Sequence, residues 1–197
     1  DGVFTHASRG LFQFNDSLQN GPHSPWIGWF TIHGWPLAPY DGHRPANYSA
    51  WANNRALPEF NTDNPEVREY LMSIGEHWIK EYDIDGWRLD VPSDIKTPGF
   101  WEEFRSRVRA IKDDAYLVGE IWNDAPLWLR GDRFDATMNY VFAAAAIAFA
   151  GGTRVSQSLV KDRSYDVYPG IDAAQFGERI ANLIRLYTWE TTLVQFN

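Results

Sequence analysis

From residue 64 onward, stretches of helical periodicity alternate with short, largely apolar runs, and this alternation restricts the chain to a narrow set of folds. Asn64 has the chemistry of an N-cap, and Pro65 stands at the first helical position, where a missing N–H costs nothing. Val67, Leu71, Ile74 and Trp78 then recur on one face, which predicts a helix ending near Tyr82. The next run, residues 85–91, is partly apolar, bounded by turn residues and reads as a strand. Thr97 and Pro98 open a second helix with the stripe Phe100, Phe104, Val108 and Ile111, and residues 116–122 make another strand. The rhythm continues with a strand over 134–138, an Ala-rich helix over 139–150 that stops at Gly151 and Gly152, and a helix carrying Phe176, Ile180, Leu183 and Tyr187. Residues 192–196 read as a last strand, and Val3 with Phe4 as one more at the start.

Strands separated by amphipathic helices pair in parallel through right-handed crossovers, so the expected class is α/β, as a barrel or as an open doubly wound sheet. An eight-stranded barrel takes about 250 residues. A chain of 197 can therefore hold only part of one, with the other strands outside this sequence. The start at Asp1, with neither Met nor a signal-peptide pattern, also reads as that of a fragment. Residues 7–63 break the rhythm: six prolines, from Pro22 to Pro58, and Trp26, Trp29, Trp35 and Trp51 stand among Gly, His and Asn. Structureless connections longer than roughly 12–15 residues are uncommon, so this stretch is expected to be a small inserted domain over one end of the sheet. The expected division is a partial barrel from residues 1–6 and 64–197, with 7–63 inserted.

Composition narrows the partners. A net charge of −8 without basic clusters argues against nucleic acid, whose phosphates would be repelled, and favours a neutral ligand. No apolar run approaches the roughly 20 residues of a membrane span, so no membrane partner is expected. The absence of Cys excludes disulfides and thiolate metal sites but decides little about compartment, for which cytoplasm is favoured over export. Aromatic residues make up 16% of the chain, and such rings must pack or bind something. For the tryptophans of the insert, an aromatic core is the simpler reading than stacking on a ligand.

Two carboxylates stand where parallel α/β folds place their chemistry, at the C-terminal ends of apolar strands: Asp90 and Glu120. Neighbouring strands lie about 4.8 Å apart, which suits the separation of about 5–5.5 Å that retaining glycosidases use between nucleophile and acid/base. Arg88 lies two residues before Asp90, on the same strand face, where its guanidinium can keep Asp90 ionised. Glu120 lies between Gly119 and the apolar pair Ile121 and Trp122, surroundings suited to a proton donor. On spacing alone, Arg88 and Asp90 read equally well as a structural ion pair and Glu120 as a solvated strand end. His6 reads as a packed histidine or, with Asp1, as part of a metal site. Tyr40 and Tyr140 could face a ligand, and nothing ranks them.

The strings around these residues add to that reading. Asp1-Gly2-Val3-Phe4-Thr5-His6, Gly86-Trp87-Arg88-Leu89-Asp90 and Gly119-Glu120-Ile121-Trp122 resemble, in order, the third-, fourth- and fifth-strand motifs of the α-amylase family, glycoside hydrolase family thirteen. Leu57-Pro58-Glu59-Phe60-Asn61 resembles the additional motif of the domain that interrupts that barrel after its third strand. With residues 64–68, 119–129 and 134–140, the chain most resembles the neopullulanase, cyclomaltodextrinase and maltogenic amylase branch. The resemblance implies a partial (β/α)8 TIM barrel covering about strands three to seven. It implies Asp90 as nucleophile, Glu120 as general acid/base, Arg88 orienting Asp90, His6 contacting the sugar being cleaved and Asp1 bracing the site. The implied activity is retaining cleavage or transfer at α-1,4 bonds, with α-1,6 bonds open, on an α-glucan, maltooligosaccharide or cyclodextrin. Relatives of this branch often dimerise through an N-terminal domain that this chain lacks, so a homodimer is implied only for a full-length parent.

Several positions depart from the branch pattern. Glu59 stands where a basic residue is usual, Phe60 where Leu is usual, and residues 91–94 differ from the commonest string while Asp94 keeps an acidic group near the acceptor side. Thr5 replaces an Asn that ligates calcium in many relatives, so no cofactor and no metal are expected. The family's third carboxylate, an Asp after the seventh strand, is expected beyond Asn197, and without it the isolated chain is expected to be inactive or nearly so. A noncatalytic carbohydrate-binding or assembly protein on the same fold is the alternative. Such relatives should lack the catalytic acids, and Asp90 and Glu120 are both present. A metal-dependent hydrolase would need more converging ligands than Asp1, His6 and Asp90.

Overall fold

The structure, a computed structural model, describes residues 1–160 and 170–195, and the chain divides into two compact units, Asp1–Ala115 and Tyr116–Asn197. The first unit carries α1 (Phe12–Asn20), α2 (Pro65–Tyr82), β1 (Gly86–Leu89) and α3 (Phe100–Ile111). The second carries β2 (Tyr116–Gly119), β3 (Ala136–Thr137), α4 (Tyr140–Gly151), α5 (Gln157–Val160), α6 (Ala173–Leu186) and α7 (Trp189–Gln195). Among the described residues no helix is long and apolar enough to cross a membrane.

In the first unit, α2 starts as its sequence requires: the Asn64 side chain accepts the Glu66 N–H at 2.9 Å, and Pro65 occupies the first turn. It ends at Asp83, whose left-handed backbone (φ 48°) lets its N–H reach the Ile79 carbonyl at 3.0 Å. The buried face of α2 is Val67, Leu71, Met72, Gly75 and Ile79, set against Phe100, Trp101, Phe104 and Val108 of α3. Trp78 and Ile111, expected in these stripes, are instead about 43% exposed. Ile111 is the last residue of α3, and in the last turns of α2 the buried place is taken by Ile79, next to Trp78. Helix α3 begins at Phe100, not at Thr97, because the Thr97 hydroxyl donates to the Asp63 carboxylate at 2.6 Å and Gly99 turns left-handed (φ 70°).

Strand β1 sends Trp87 and Leu89 into the core. Trp87 packs edge-on to Phe4 at 5.7 Å, Phe4 to Phe104 at 5.2 Å, and the Trp87 indole donates to the Gly75 carbonyl at 3.2 Å. The approach of α3 at Gly75 is so close that a Cβ there would lie 2.4 Å from the Phe104 ring. Period-two alternation puts Arg88 and Asp90 on the opposite face of β1. The N-terminal extended chain pairs in parallel with this strand at Gly2 and Leu89.

Residues 7–63 hold together around aromatic rings. Phe14 meets Phe30 at 5.1 Å and Tyr48 at 4.9 Å, and Trp29, 2% exposed, meets Trp26 and Tyr70 at 5.0 and 4.9 Å. Single antiparallel bridges join His6 to Glu59, Phe30 to Phe60, Ile32 to Tyr48 and Ala50 to Pro58.

In the second unit β2 and β3 pair in parallel with Val118 opposite Ala136 and Gly119 opposite Thr137. The Asp135 side chain accepts the Leu117 N–H at 2.8 Å while its own N–H donates to the Leu117 carbonyl at 2.8 Å, which locks the register. Asn139 caps α4, and Asp172 with Gln175 forms a reciprocal capping box on α6. The expected strand over 192–196 is not formed: its described residues belong to helix α7, while Phe196 lies outside them. Local capping outweighs the β-branched composition here. The Thr188 hydroxyl accepts the Thr191 N–H at 3.3 Å, and the Thr188 carbonyl accepts the Thr192 N–H and hydroxyl, both at 2.9 Å.

Candidate active site

The site in the first unit is built on the pairing of two extended segments. Gly2 donates its N–H to the Arg88 carbonyl at 2.7 Å and accepts the Asp90 N–H at 2.9 Å, so Asp1, Arg88 and Asp90 are fixed in register by the backbone. Gly2 suits this contact, since a Cβ there would lie 2.5 Å from the Phe4 ring. The Arg88 guanidinium Nη1 then donates to Asp90 Oδ1 at 2.6 Å and to Asp1 Oδ1 at 3.0 Å, one cation bridging two carboxylates. Asp90 and Arg88 keep 22% and 26% of their side-chain surface, enough to meet a ligand, while Asp1 is 63% exposed.

The chain turns sharply after Asp90. Val91 takes left-handed angles (φ 33°, ψ 51°), a strained choice for a β-branched residue that costs on the order of 1–3 kcal/mol. The turn is held by its surroundings: the Val91 carbonyl accepts the Asp94 N–H at 3.0 Å, and the Trp101 indole donates to the Pro92 carbonyl at 2.8 Å. It brings Asp94 back beside the insert, where Asp94 Oδ2 accepts the Trp51 indole N–H at 2.8 Å.

His6 is 9% exposed, its ring stacked on Trp51 at 5.2 Å and 24°, and its buried Nδ1 has no hydrogen-bond partner. Burial pushes its pKa below the ordinary value, with the charges of Asp90 and Asp94 pulling the other way. Across the bridge from His6, burial pushes the Glu59 carboxyl up, and the charge of Asp94 adds to the effect. Among the described residues no three His, Asp or Glu side chains are grouped so as to hold a metal ion.

In the second unit Glu120 follows directly on β2. The Tyr140 hydroxyl donates to Glu120 Oε1 at 2.9 Å. Asn139 caps α4, so Tyr140 is its first residue and points from a fixed backbone. Tyr140 also lines a cavity of about 500 Å³ with Tyr116, Val118, Thr137 and Met138. The structure thus groups Asp1, Arg88 and Asp90 with His6 and Asp94 in the first unit, and Glu120 with Tyr140 in the second. Sequence reasoning left Tyr140 unranked and assigned Trp51 to an aromatic core. The Asn139 cap was the only available signal for the first, and the stack with His6 had none.

The family model described as alpha amylase, catalytic domain, matches residues 1–183. A cyclomaltodextrinase of Geobacillus thermopakistaniensis is 44% identical over 187 residues, 93% of this chain and 30% of that protein. The intracellular maltogenic amylase of Bacillus subtilis is 41% identical over 163 residues, 83% of this chain and 26% of that protein. Among solved structures, the native form of a Nostoc punctiforme debranching enzyme is 60% identical with a TM-score of 0.93, covering 98% of this chain and 40% of that one. The chain therefore spans less than half the length of these relatives, and on the match over residues 1–183 it belongs to the alpha-amylase family of glycoside hydrolases.

Proposed function

We propose that the whole protein containing this chain is a retaining α-glucan hydrolase and transglycosylase, acting on α-1,4 bonds and open to α-1,6 bonds. The observation that carries the reading is the Arg88 bridge, which holds Asp90 at 2.6 Å on the ligand-facing side of β1. Asp90 attacks the anomeric carbon as the glycosidic C–O bond breaks, and Glu120 gives its proton to the leaving oxygen. The covalent glycosyl-Asp90 intermediate is then opened by water, or by a sugar hydroxyl, whose proton returns to Glu120. Tyr140 holds one oxygen of Glu120, and His6 contacts the sugar whose bond is cleaved. Maltooligosaccharides and cyclodextrins are the proposed substrates, supported by the names of the relatives.

In this reading residues 1–6 and 64–197 belong to a partial barrel interrupted by residues 7–63, and turnover belongs to the whole protein, of which the isolated chain retains little or none. The scheme uses no metal. Thr5, at the position of a calcium-ligating Asn in many relatives, is 5% exposed, and its hydroxyl donates to the Val91 carbonyl at 3.4 Å. Asp90→Asn in the full-length protein should abolish maltooligosaccharide turnover while leaving thermal unfolding unchanged. Near-normal turnover by that variant would remove Asp90 from the mechanism.

A further inference from the structure

Trp51 touches two groups of the site at once. Its ring lies on His6 at 5.2 Å and 24°, and its indole N–H donates to Asp94 Oδ2 at 2.8 Å. The backbone is strained on both sides of that contact. Ala52 (φ 51°) and Asn53 (φ 56°), immediately after Trp51, and Val91 (φ 33°), three residues before Asp94, all stand in the left-handed region without being glycine. Strain of this kind persists only where its surroundings over-determine it, and it gathers where a side chain must be aimed. Here it aims an indole and a carboxylate at each other. With Oδ2 taken by the indole, no described residue donates to Asp94 Oδ1, and Asp94 is exposed. An exposed carboxylate oxygen beside a neutral imidazole is a suitable acceptor for sugar hydroxyls.

We propose that Trp51 is a positioning residue that holds Asp94 by its indole N–H and His6 by its ring, so that the two present a joined binding edge to the glucan beside Asp90. The inference rests on the reading of Asp90 as nucleophile and deepens it. Phe at position 51 keeps a ring against His6 and removes only the donor, and Asp94→Asn changes the acceptor without touching the stack. Asp94 is exposed, so solvent screening weakens its bond to the indole, and losing it corresponds to roughly a 5- to 30-fold effect.

The experiment is a double-mutant cycle in the full-length protein, with initial rates on a maltooligosaccharide series. Trp51→Phe and Asp94→Asn should each raise KM about 5- to 30-fold with kcat within about threefold, and the double variant should be no worse than either single one. Trp51→Ala should add a loss in kcat by releasing His6. Strictly additive effects of the two single changes, or unchanged KM in a Trp51→Phe protein of normal thermal stability, would overturn the inference. Asp90→Asn separates this failure from that of the underlying reading. If Asp90→Asn is inactive while Trp51→Phe is normal, only the role of Trp51 falls. If Asp90→Asn remains active, the role of Asp90 itself falls.

Discussion

Arg88→Gln tests the bridge that joins Asp1 to Asp90. In the structure one guanidinium nitrogen serves both carboxylates, at 2.6 Å to Asp90 and 3.0 Å to Asp1. The two contacts differ in worth. Asp90 keeps 22% of its side-chain surface, so its bond to the cation falls in the range of about 1.5–3 kcal/mol for hydrogen bonds to charged groups. Asp1 is 63% exposed, and solvent screening reduces its share to about 0.2–1 kcal/mol. Together they hold Asp90 with about 2–4 kcal/mol, and if that positioning is expressed in the transition state its loss lowers kcat/KM by roughly 30- to 1,000-fold. Gln is shorter and uncharged, so it cannot restore both contacts, whereas Arg88→Lys keeps the charge without the fork and should fall between. The assay is kcat/KM for a maltooligosaccharide in the full-length protein, with thermal unfolding run alongside. An Arg88→Gln protein that folds normally and works within about threefold of the parent would refute the argument, because the bridge would then be a surface ion pair without consequence for Asp90.

Two further changes probe the scaffold. Gly75→Ala inserts a methyl group 2.4 Å from the Phe104 ring, and overpacking of about 1–3 kcal/mol should outweigh the gain of up to about 1 kcal/mol in helix propensity; an unchanged midpoint in thermal or urea unfolding would contradict the close packing of α2 on α3. Glu59→Gln tests electrostatics. Because burial raises the folded-state pKa of Glu59 above its ordinary 4.5, the folded state holds the proton more tightly, and the stability this gives is present at acid pH and lost as pH rises through the folded pKa. The Gln variant should therefore gain thermal stability at about pH 7.5 and match the parent at about pH 3.5; an equal shift at both values would discount the burial.

Much of the fold was legible because the deciding interactions are local. Asn64, Pro65 and the buried positions of α2 and α3 announce helices by side-chain chemistry and spacing, and period-two alternation in β1 places Arg88 and Asp90 together on one face. The sequence misled over 192–195, the described part of the expected strand, where β-branched residues suggest a strand and the hydroxyl and carbonyl of Thr188 secure a helix instead. It also placed the start of α3 too early, since nothing local shows that the Thr97 hydroxyl is engaged by Asp63. At the candidate site, the shared strand face of Arg88 and Asp90 is readable from the period of two. The Trp51 contacts are not, because His6 and Asp94 lie 45 residues before it and 43 after it, and only the folded insert brings them together. Tyr140 falls between these cases: its helix start was readable from Asn139, while its aim at Glu120 depends on the register of β2 with β3.

The pairing of Gly2 with Leu89 leaves little room for intermediate behaviour. A slip of one residue along β1 would turn Leu89 to the face now held by Arg88 and Asp90 and press these two against Phe4 and Phe104, so no partly aligned version of the candidate site exists. Damage to this pairing should then be counted in molecules: a weakened preparation would contain fewer competent sites working at full speed, and its specific activity would fall in proportion to a titration of those sites while the turnover of each stayed constant.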